Sequence, residues 1–179
     1  MRQLIYVPIL HTPEDMGSLA ERLREEYIAR IGESEWRQHL EEIDNLWARI
    51  REKILAFPLD WKTVKVYQDG LPQCGRELEI TAELANTGSK NYQLVLDLVA
   101  KGARLIGTED PNLLVEEYSH LKGKRTQPKH SLDLLVQRDE YMANRIAETL
   151  NEGETGILFL GVLHRVDKRL PGDIKVTHL

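Results

Sequence analysis

The chain has 179 residues and a net charge of −5, with 24 Lys and Arg against 29 Asp and Glu. This balance gives no broad basic surface, so we expect no nucleic-acid partner. The single cysteine, Cys74, excludes an internal disulfide and a multi-cysteine zinc site.

The remaining composition is ordinary for a soluble globular domain, with 41% hydrophobic and 30% charged residues. No apolar run approaches the roughly 20 residues that cross a bilayer. The N-terminal apolar stretch is short and is followed at once by acids, which makes it a poor signal peptide. We therefore expect a cytoplasmic protein without a membrane partner.

The first third of the chain predicts a strand, two helices and a second strand. The first strand covers Leu4 to Leu10. The next segment, Thr12-Pro13-Glu14-Asp15, is typical of the start of a helix. It has a threonine N-cap, proline at the first helical position and acids in the first turn. This helix extends to Gly32, and a second runs from Ser34 to Phe57. Trp61 to Tyr67 reads as the second strand.

The second helix carries apolar residues at alternating spacings of four and three, from Trp36 to Phe57. This spacing is typical of a coiled-coil seam. It fits a long helix that packs along the first one, and it also fits a helix that pairs with its own copy in a homodimer. Both interpretations remain open.

The rest of the chain continues the alternation of helices and strands. The basic segment Lys122 to His130 lacks periodicity and is interpreted as a solvated, mobile connector, with a binding patch as the alternative. The predicted elements are helices from Arg76 to Asn86, from Lys90 to Lys101, from about Asn112 to Leu121 and from a cap at Ser131, with strands Ala103–Gly107, Thr155–Leu163 and Asp173–Leu179. This order predicts one α/β domain over residues 1–179, with a largely parallel sheet of about four to five strands and helices on both faces.

Four predicted strands are followed by residues that can bind a metal or transfer a proton: His11, Asp69, Glu109 with Asp110, and His164. The carboxyl ends of parallel strands share one edge of the sheet, so these side chains are candidates for one site. Two imidazoles and a carboxylate suit zinc, manganese or iron. The same groups could also act as a general acid and a general base without a metal. A third interpretation is that they have no catalytic role and only cap the loops or helices next to them. A shared site requires the strands before His11 and His164 to be neighbours.

Other polar residues are weaker candidates. Glu116 and Glu117 are adjacent on a helix and face different directions, so we expect them to be solvated. Cys74 lies in a turn and is expected to be a passive thiol. Arg138 and Asp139 are expected on the solvent face of the last long helix. No glycine pattern of a dinucleotide or P-loop site is present.

The last long helix and the strand after it carry two short motifs: Arg138-Asp139 with Met142 and Ile146, then Gly161-Val162-Leu163-His164. They resemble the R-N/D-x-x-M-x-x-x-I and G-x-x-H motifs of the superfamily of TraB/Tiki proteins, ChaN-like haem-binding proteins and erythromycin esterases. Pro8 stands where the first G-x-x-H motif of TraB/Tiki members has its glycine. Gln68-Asp69 offers an aspartate where a glutamate is usual.

The resemblance implies an α/β fold whose site comprises His11, Asp69, Glu109 and His164. Resemblance to the Tiki-type members implies metal-dependent hydrolysis, and resemblance to the ChaN-like members implies ligand binding. We therefore predict a metal-assisted hydrolase of a small molecule or peptide. Its divalent zinc, manganese or iron ion is held by His11, His164 and Asp69, and Asp69 or Glu109 is the general base. The alternative, motivated by Pro8 and Gln68, is a non-catalytic small-molecule binding or sensing module.

Overall fold

A computed structural model describes residues 1–122 and 128–179 of the chain. All strand pairs in it are parallel, and they form one sheet in the order β3-β2-β4-β1-β5. The strands are β1 (Arg2–Ile9), β2 (Val64–Gln68), β3 (Arg104–Ile106), β4 (Thr155–Gly161) and β5 (Ile174–His178). The predicted α/β class with a parallel sheet is confirmed.

Six α-helices and three short 3₁₀ segments connect the strands within the described residues. The helices are α1 (Ala20–Ile31), α2 (Glu33–Ala56), α3 (Glu77–Asn86), α4 (Lys90–Ala100), α5 (Pro111–Lys122) and α6 (Pro128–Thr149). The 3₁₀ segments are Pro13–Leu19, Trp61–Thr63 and Val166–Lys168.

Some predicted boundaries are wrong for local reasons. Gly17, with a φ of +54°, interrupts the helical backbone after the predicted start at Pro13, so a 3₁₀ segment precedes α1. The second strand begins at Val64 because Asp60 caps a 3₁₀ turn over Trp61–Thr63. Helix α6 begins at Pro128 rather than at a Ser131 cap. Of the connector predicted from 122 to 130, residues 123–127 lie outside the described residues.

The sheet is buried on both faces, which explains the continuous apolar runs in its strands. Alternate side chains of each strand point to opposite faces. One face, including Val66 and Phe159, packs against α2 and α4. The other face, including Tyr67 and Leu158, packs against α6. Two helical layers therefore cover a single sheet, as predicted.

The apolar seam of α2 is covered largely by its own chain. Trp47, Ile50 and Ile54 are buried in the cluster that α2 forms with the sheet. Trp36 is buried too, with its ring centroid 5.3 Å from that of Tyr27 on α1. The homodimer prediction assumed an uncovered seam, and these four positions do not provide one.

The topology meets the geometric condition for a shared site. β4 lies between β2 and β1, so the strands that precede Asp69, His164 and His11 are consecutive neighbours. Adjacent strands are about 4.8 Å apart, which lets side chains at their ends reach one another. None of the described helices combines the length and apolar character needed to cross a membrane.

Candidate active site

Asp69 is the centre of a buried polar cluster at the carboxyl edge of the sheet. Its Oδ2 atom lies 2.9 Å from His11 Nε2 and 3.5 Å from His164 Nε2. The same oxygen accepts a hydrogen bond of 2.9 Å from the backbone N–H of Gly161. Two histidines from opposite ends of the chain therefore meet at one carboxylate oxygen.

Gly161 is required at the end of β4 by a close approach rather than by its backbone angles. A Cβ added there would lie 2.9 Å from Asp69 Oδ2 and 3.1 Å from His11 Nε2. Any larger residue would thus push apart the aspartate and the histidine. This contact gives the glycine of the Gly161-Val162-Leu163-His164 motif a physical role.

Arg138 neutralises the carboxylates of the cluster. Its guanidinium donates to both oxygens of Glu109 at 2.6 Å, to Asp69 Oδ1 at 2.9 Å and to Glu117. Glu109 also accepts from the backbone N–H of Gly70 at 2.8 Å. Arg138 is 4% exposed, so the prediction that it decorates a solvent face is wrong. A buried charge requires such partners, because desolvation alone is unfavourable.

Asp139, also predicted on the solvent face, is 3% exposed and orients His164. Its Oδ1 lies 2.6 Å from His164 Nδ1, and its Oδ2 accepts from the backbone N–H of Arg165 at 2.8 Å. An ionised carboxylate only accepts hydrogen bonds, so Nδ1 carries the proton and Nε2 faces Asp69. This arrangement fixes the tautomer and the ring direction of His164.

His11 lies on the more accessible side, with a side chain that is 36% exposed. Its second ring nitrogen, Nδ1, is 4.0 Å from Asp15 Oδ2. Asp15 is held by the backbone N–H of Thr12 at 2.8 Å and by the hydroxyl of Ser89. Each histidine of the pair thus has a carboxylate near its outer nitrogen.

The electrostatics of the cluster favour charged imidazoles. Burial by itself would lower the pKa of each histidine, but Asp69, together with Asp139 for His164, raises both above the ordinary value. Burial would raise the pKa of Asp69, but the hydrogen bond from His11 and the nearby positive charges lower it. Burial raises the pKa of Glu109 despite its bonds to Arg138.

The two histidines line a cavity of about 770 Å³. Its walls come mainly from the 3₁₀ segment after β1, α3, α5 and the loop after β4. They are mostly apolar, and the polar groups lie at the sheet edge. Such a concave apolar space with a few convergent polar groups is typical of small-molecule sites. The apolar lining includes Ile9, Leu10, Met16, Leu19, Ile80, Leu84, Pro111, Leu114, Val115, Tyr118, Leu121, Leu135, Val162 and Leu163.

The donor set at this edge does not fit a divalent ion as it is arranged. Among residues 1–122 and 128–179, the ligand atoms of His11, Asp69 and His164 are not grouped within 4.8 Å of one another. Asp69 Oδ1 is paired with Arg138, and Oδ2 with Gly161 and His11. An ion there would have to displace these partners. Metal binding by the three residues stays a prediction.

The structure brings all four candidate residues to one edge, but in different roles. His11, Asp69 and His164 are in contact, and Glu109 joins them through Arg138. Asp110 instead caps α5, since its side chain accepts from the N–H of Asn112 at 2.7 Å. Reasoning from helix periodicity missed Arg138 and Asp139. The signal that marked them was their place in the resembling motif.

The comparisons with known proteins leave the resemblance as a prediction. No protein-family model matches the chain. Neither a curated protein nor a solved structure matches it.

Proposed function

We propose that the cavity is the active site of a hydrolase whose substrate is a small, largely apolar molecule. The observation that carries the proposal is the pair of histidines on one carboxylate at the floor of an apolar cavity. Perturbed titratable groups in a cleft are a general mark of catalytic sites. The apolar walls favour a substrate with a hydrocarbon portion beside its scissile bond.

His164 is assigned as the general base in its neutral form, so turnover should increase as the pH rises through the pKa that Asp139 and Asp69 raise. Its Nδ1–H is held by Asp139, which leaves Nε2 on the side that faces Asp69 and the cavity. A histidine oriented in this way by a carboxylate is the arrangement used to remove a proton from a nucleophile. Asp69 and Glu109, the bases predicted from the sequence, both have their oxygens engaged by Arg138 and other donors.

His11 is assigned as the general acid, because it lies at the more open side and Asp69 favours its protonated form. Water loses a proton to His164 as its oxygen bonds to the carbonyl carbon of the substrate. The bond from that carbon to the leaving group then breaks, and the leaving group takes a proton from His11. An ester and water thus become an acid and an alcohol. The imidazoles recover their original protonation through solvent.

A panel of p-nitrophenyl esters of increasing acyl length, assayed in buffer with chelator, tests the proposal. We expect turnover that increases with acyl length until the cavity is filled. His11→Ala and His164→Ala should each lower kcat by about 10²- to 10⁴-fold, the usual contribution of a general acid or base. His178→Ala is the matched control, since His178 is an exposed histidine on β5. Turnover that is the same in all three variants would refute the assignment.

The metal-assisted form of the same reaction is tested by the same panel. Metal analysis of untagged protein and assays with added Zn²⁺, Mn²⁺ or Fe²⁺ separate the two forms. Activity that appears only with one of these ions would favour His11, His164 and Asp69 as metal ligands. Activity that persists in chelator favours the imidazole pair alone.

A binding or sensing module is the second candidate, and one observation favours it. Gln68 is fully buried next to Asp69, and its Oε1 atom has no hydrogen-bond partner among the described residues. An amide there supplies no charge for catalysis. Thermal stabilisation by apolar small molecules, with no turnover of any ester, would support the module over the enzyme.

A further inference from the structure

A second cluster of ligand-type side chains lies between α5 and α6. Glu116, His120 and His130 are the only three His, Cys, Asp or Glu residues in the described parts of the chain whose ligand atoms lie within 4.8 Å of one another. None of the three lines the cavity. The cluster is therefore separate from the paired histidines at the sheet edge.

The geometry of the cluster spans two helices. Glu116 and His120 are four residues apart on α5, so they share one face of that helix. His130 comes from the first turns of α6. Its Nε2 lies 2.9 Å from Glu116 Oε1, and its ring centroid is 4.5 Å from that of His120.

We propose that Glu116, His120 and His130 bind one divalent cation of the zinc type and thereby link α5 to α6. Two imidazoles and one carboxylate are a common zinc donor set, with a fourth position open to water. Tetrahedral ligands about 2.0–2.1 Å from zinc are about 3.4 Å apart, a separation that small side-chain rotations reach from the observed spacing.

The surroundings leave these ligands available. The side chains of His130 and Glu116 are 48% and 44% exposed, so an ion can enter and a water can complete its coordination. No arginine or lysine is paired with Glu116 among the described residues, in contrast to the carboxylates that Arg138 neutralises. Binding then replaces one His–Glu contact rather than a buried network.

The ion would also act on the cavity without entering it. Helix α5 contributes Leu114, Val115 and Tyr118 to the cavity wall, and α6 contributes Leu135. A link between the two helices holds these wall residues at a defined separation. This consequence does not depend on the reaction performed inside.

Calorimetric titration of untagged, chelator-treated protein with Zn²⁺ tests the proposal. We expect one high-affinity ion per chain. Glu116→Gln, His120→Ala and His130→Ala should each weaken binding by at least about tenfold, the smallest loss seen even for supporting partners of a metal ligand. His178→Ala, which removes an exposed histidine elsewhere, should bind as the unaltered protein does. Circular dichroism of each variant in chelator checks that it is folded.

Two further variants decide where the ion lies. His11→Ala and His164→Ala should retain the binding, because neither belongs to the cluster. Binding that is lost in these variants and kept in His120→Ala places the ion in the cavity and overturns the proposal. Binding that survives His130→Ala but not His120→Ala places it on α5 alone and overturns the link between helices. Absence of Zn²⁺ binding at millimolar concentration overturns it entirely.

Discussion

Two clusters of histidines and carboxylates occur in this protein, and they differ mainly in burial. At the sheet edge, Asp69 contacts His11 and His164 while its other oxygen pairs with Arg138. Between α5 and α6, Glu116, His120 and His130 lie half exposed or partly buried. Similar residue types therefore occupy two very different dielectric environments.

The difference shows how burial selects chemistry. A buried carboxylate must be compensated by its own protein, because unpaired charge in a low dielectric is strongly unfavourable. Arg138 supplies that compensation at the sheet edge, so a metal ion that bound these carboxylates would have to displace it. Water compensates the exposed cluster instead, and water is readily exchanged for a cation. This difference is why we propose proton transfer for the first cluster and ion binding for the second.

The largest expected effect on stability comes from removing the buried positive charge of Arg138. Arg138→Met keeps an apolar side chain in the space but leaves Asp69 and Glu109 without their partner. We expect the free energy of unfolding to fall by about 3–5 kcal/mol, the cost of breaking a buried ion pair on one side. Urea denaturation measures it. The control is Arg169→Met, whose exposed partner Glu140 is 3.4 Å away and contributes about 0–1 kcal/mol. Equal losses in the two variants would contradict the comparison.

A smaller effect is expected from crowding the same site. Gly161→Ala places a methyl group 2.9 Å from Asp69 Oδ2, so either the strand end or the His11 contact must shift. Overpacking of this kind costs about 1–3 kcal/mol. Gly172→Ala is the matched control because a Cβ there meets no atom within 4 Å. Thermal unfolding of both variants, side by side, measures the difference. A stable Gly161→Ala protein with unaltered ester turnover would contradict the crowding.

The pH dependence of stability sharpens the comparison. The folded state raises the pKa of His11 and His164, so the stability they contribute is fully present below the ordinary imidazole pKa of about 6.5. It is lost as the pH rises through the raised values. The raised pKa of Glu109 acts in the same direction. We therefore expect the free energy of unfolding to fall as the pH rises above about 6.5.

Two histidine variants test whether this pH dependence comes from the buried cluster. His164→Gln should make the decline shallower, whereas His178→Gln should leave it unchanged. Urea denaturation at pH 6, 7 and 8.5 gives the slopes. A stability that increases over this range would show that the imidazoles are not held in their charged form.

The smallest effect is expected in the exposed cluster. Without added metal, Glu116→Gln removes a half-exposed contact to His130, which is worth less than about 1 kcal/mol. The unfolding midpoint should therefore be nearly unchanged in chelator. In Zn²⁺, the unaltered protein should gain more stability than Glu116→Gln, since stabilisation increases with affinity for the folded state. A large loss in chelator would mean that the cluster is structural and not a site.

Much of the candidate site followed from local patterns. Apolar runs ending in His11, Asp69 and His164 predicted parallel strands, and parallel strands place their carboxyl ends together. The helix predicted from Lys90 to Lys101 is observed as α4, and the structure shows that Ser89 caps it by accepting from the N–H of Tyr92. The start predicted at Pro13 is present, but it opens a 3₁₀ segment that Gly17 interrupts. The start predicted at Ser131 is wrong, because α6 already begins at Pro128.

The sequence by itself placed these strands to within a few residues and determined the ligand types that follow them, because alternation, caps and apolar runs act over a few residues. Only the tertiary structure decided that β4 lies between β1 and β2, which brings His11 and His164 to the same oxygen of Asp69. It also decided that Arg138 and Asp139 face inward. Their burial depends on how α6 lies over the sheet edge, and this long-range packing is not encoded in the periodicity of the helix alone.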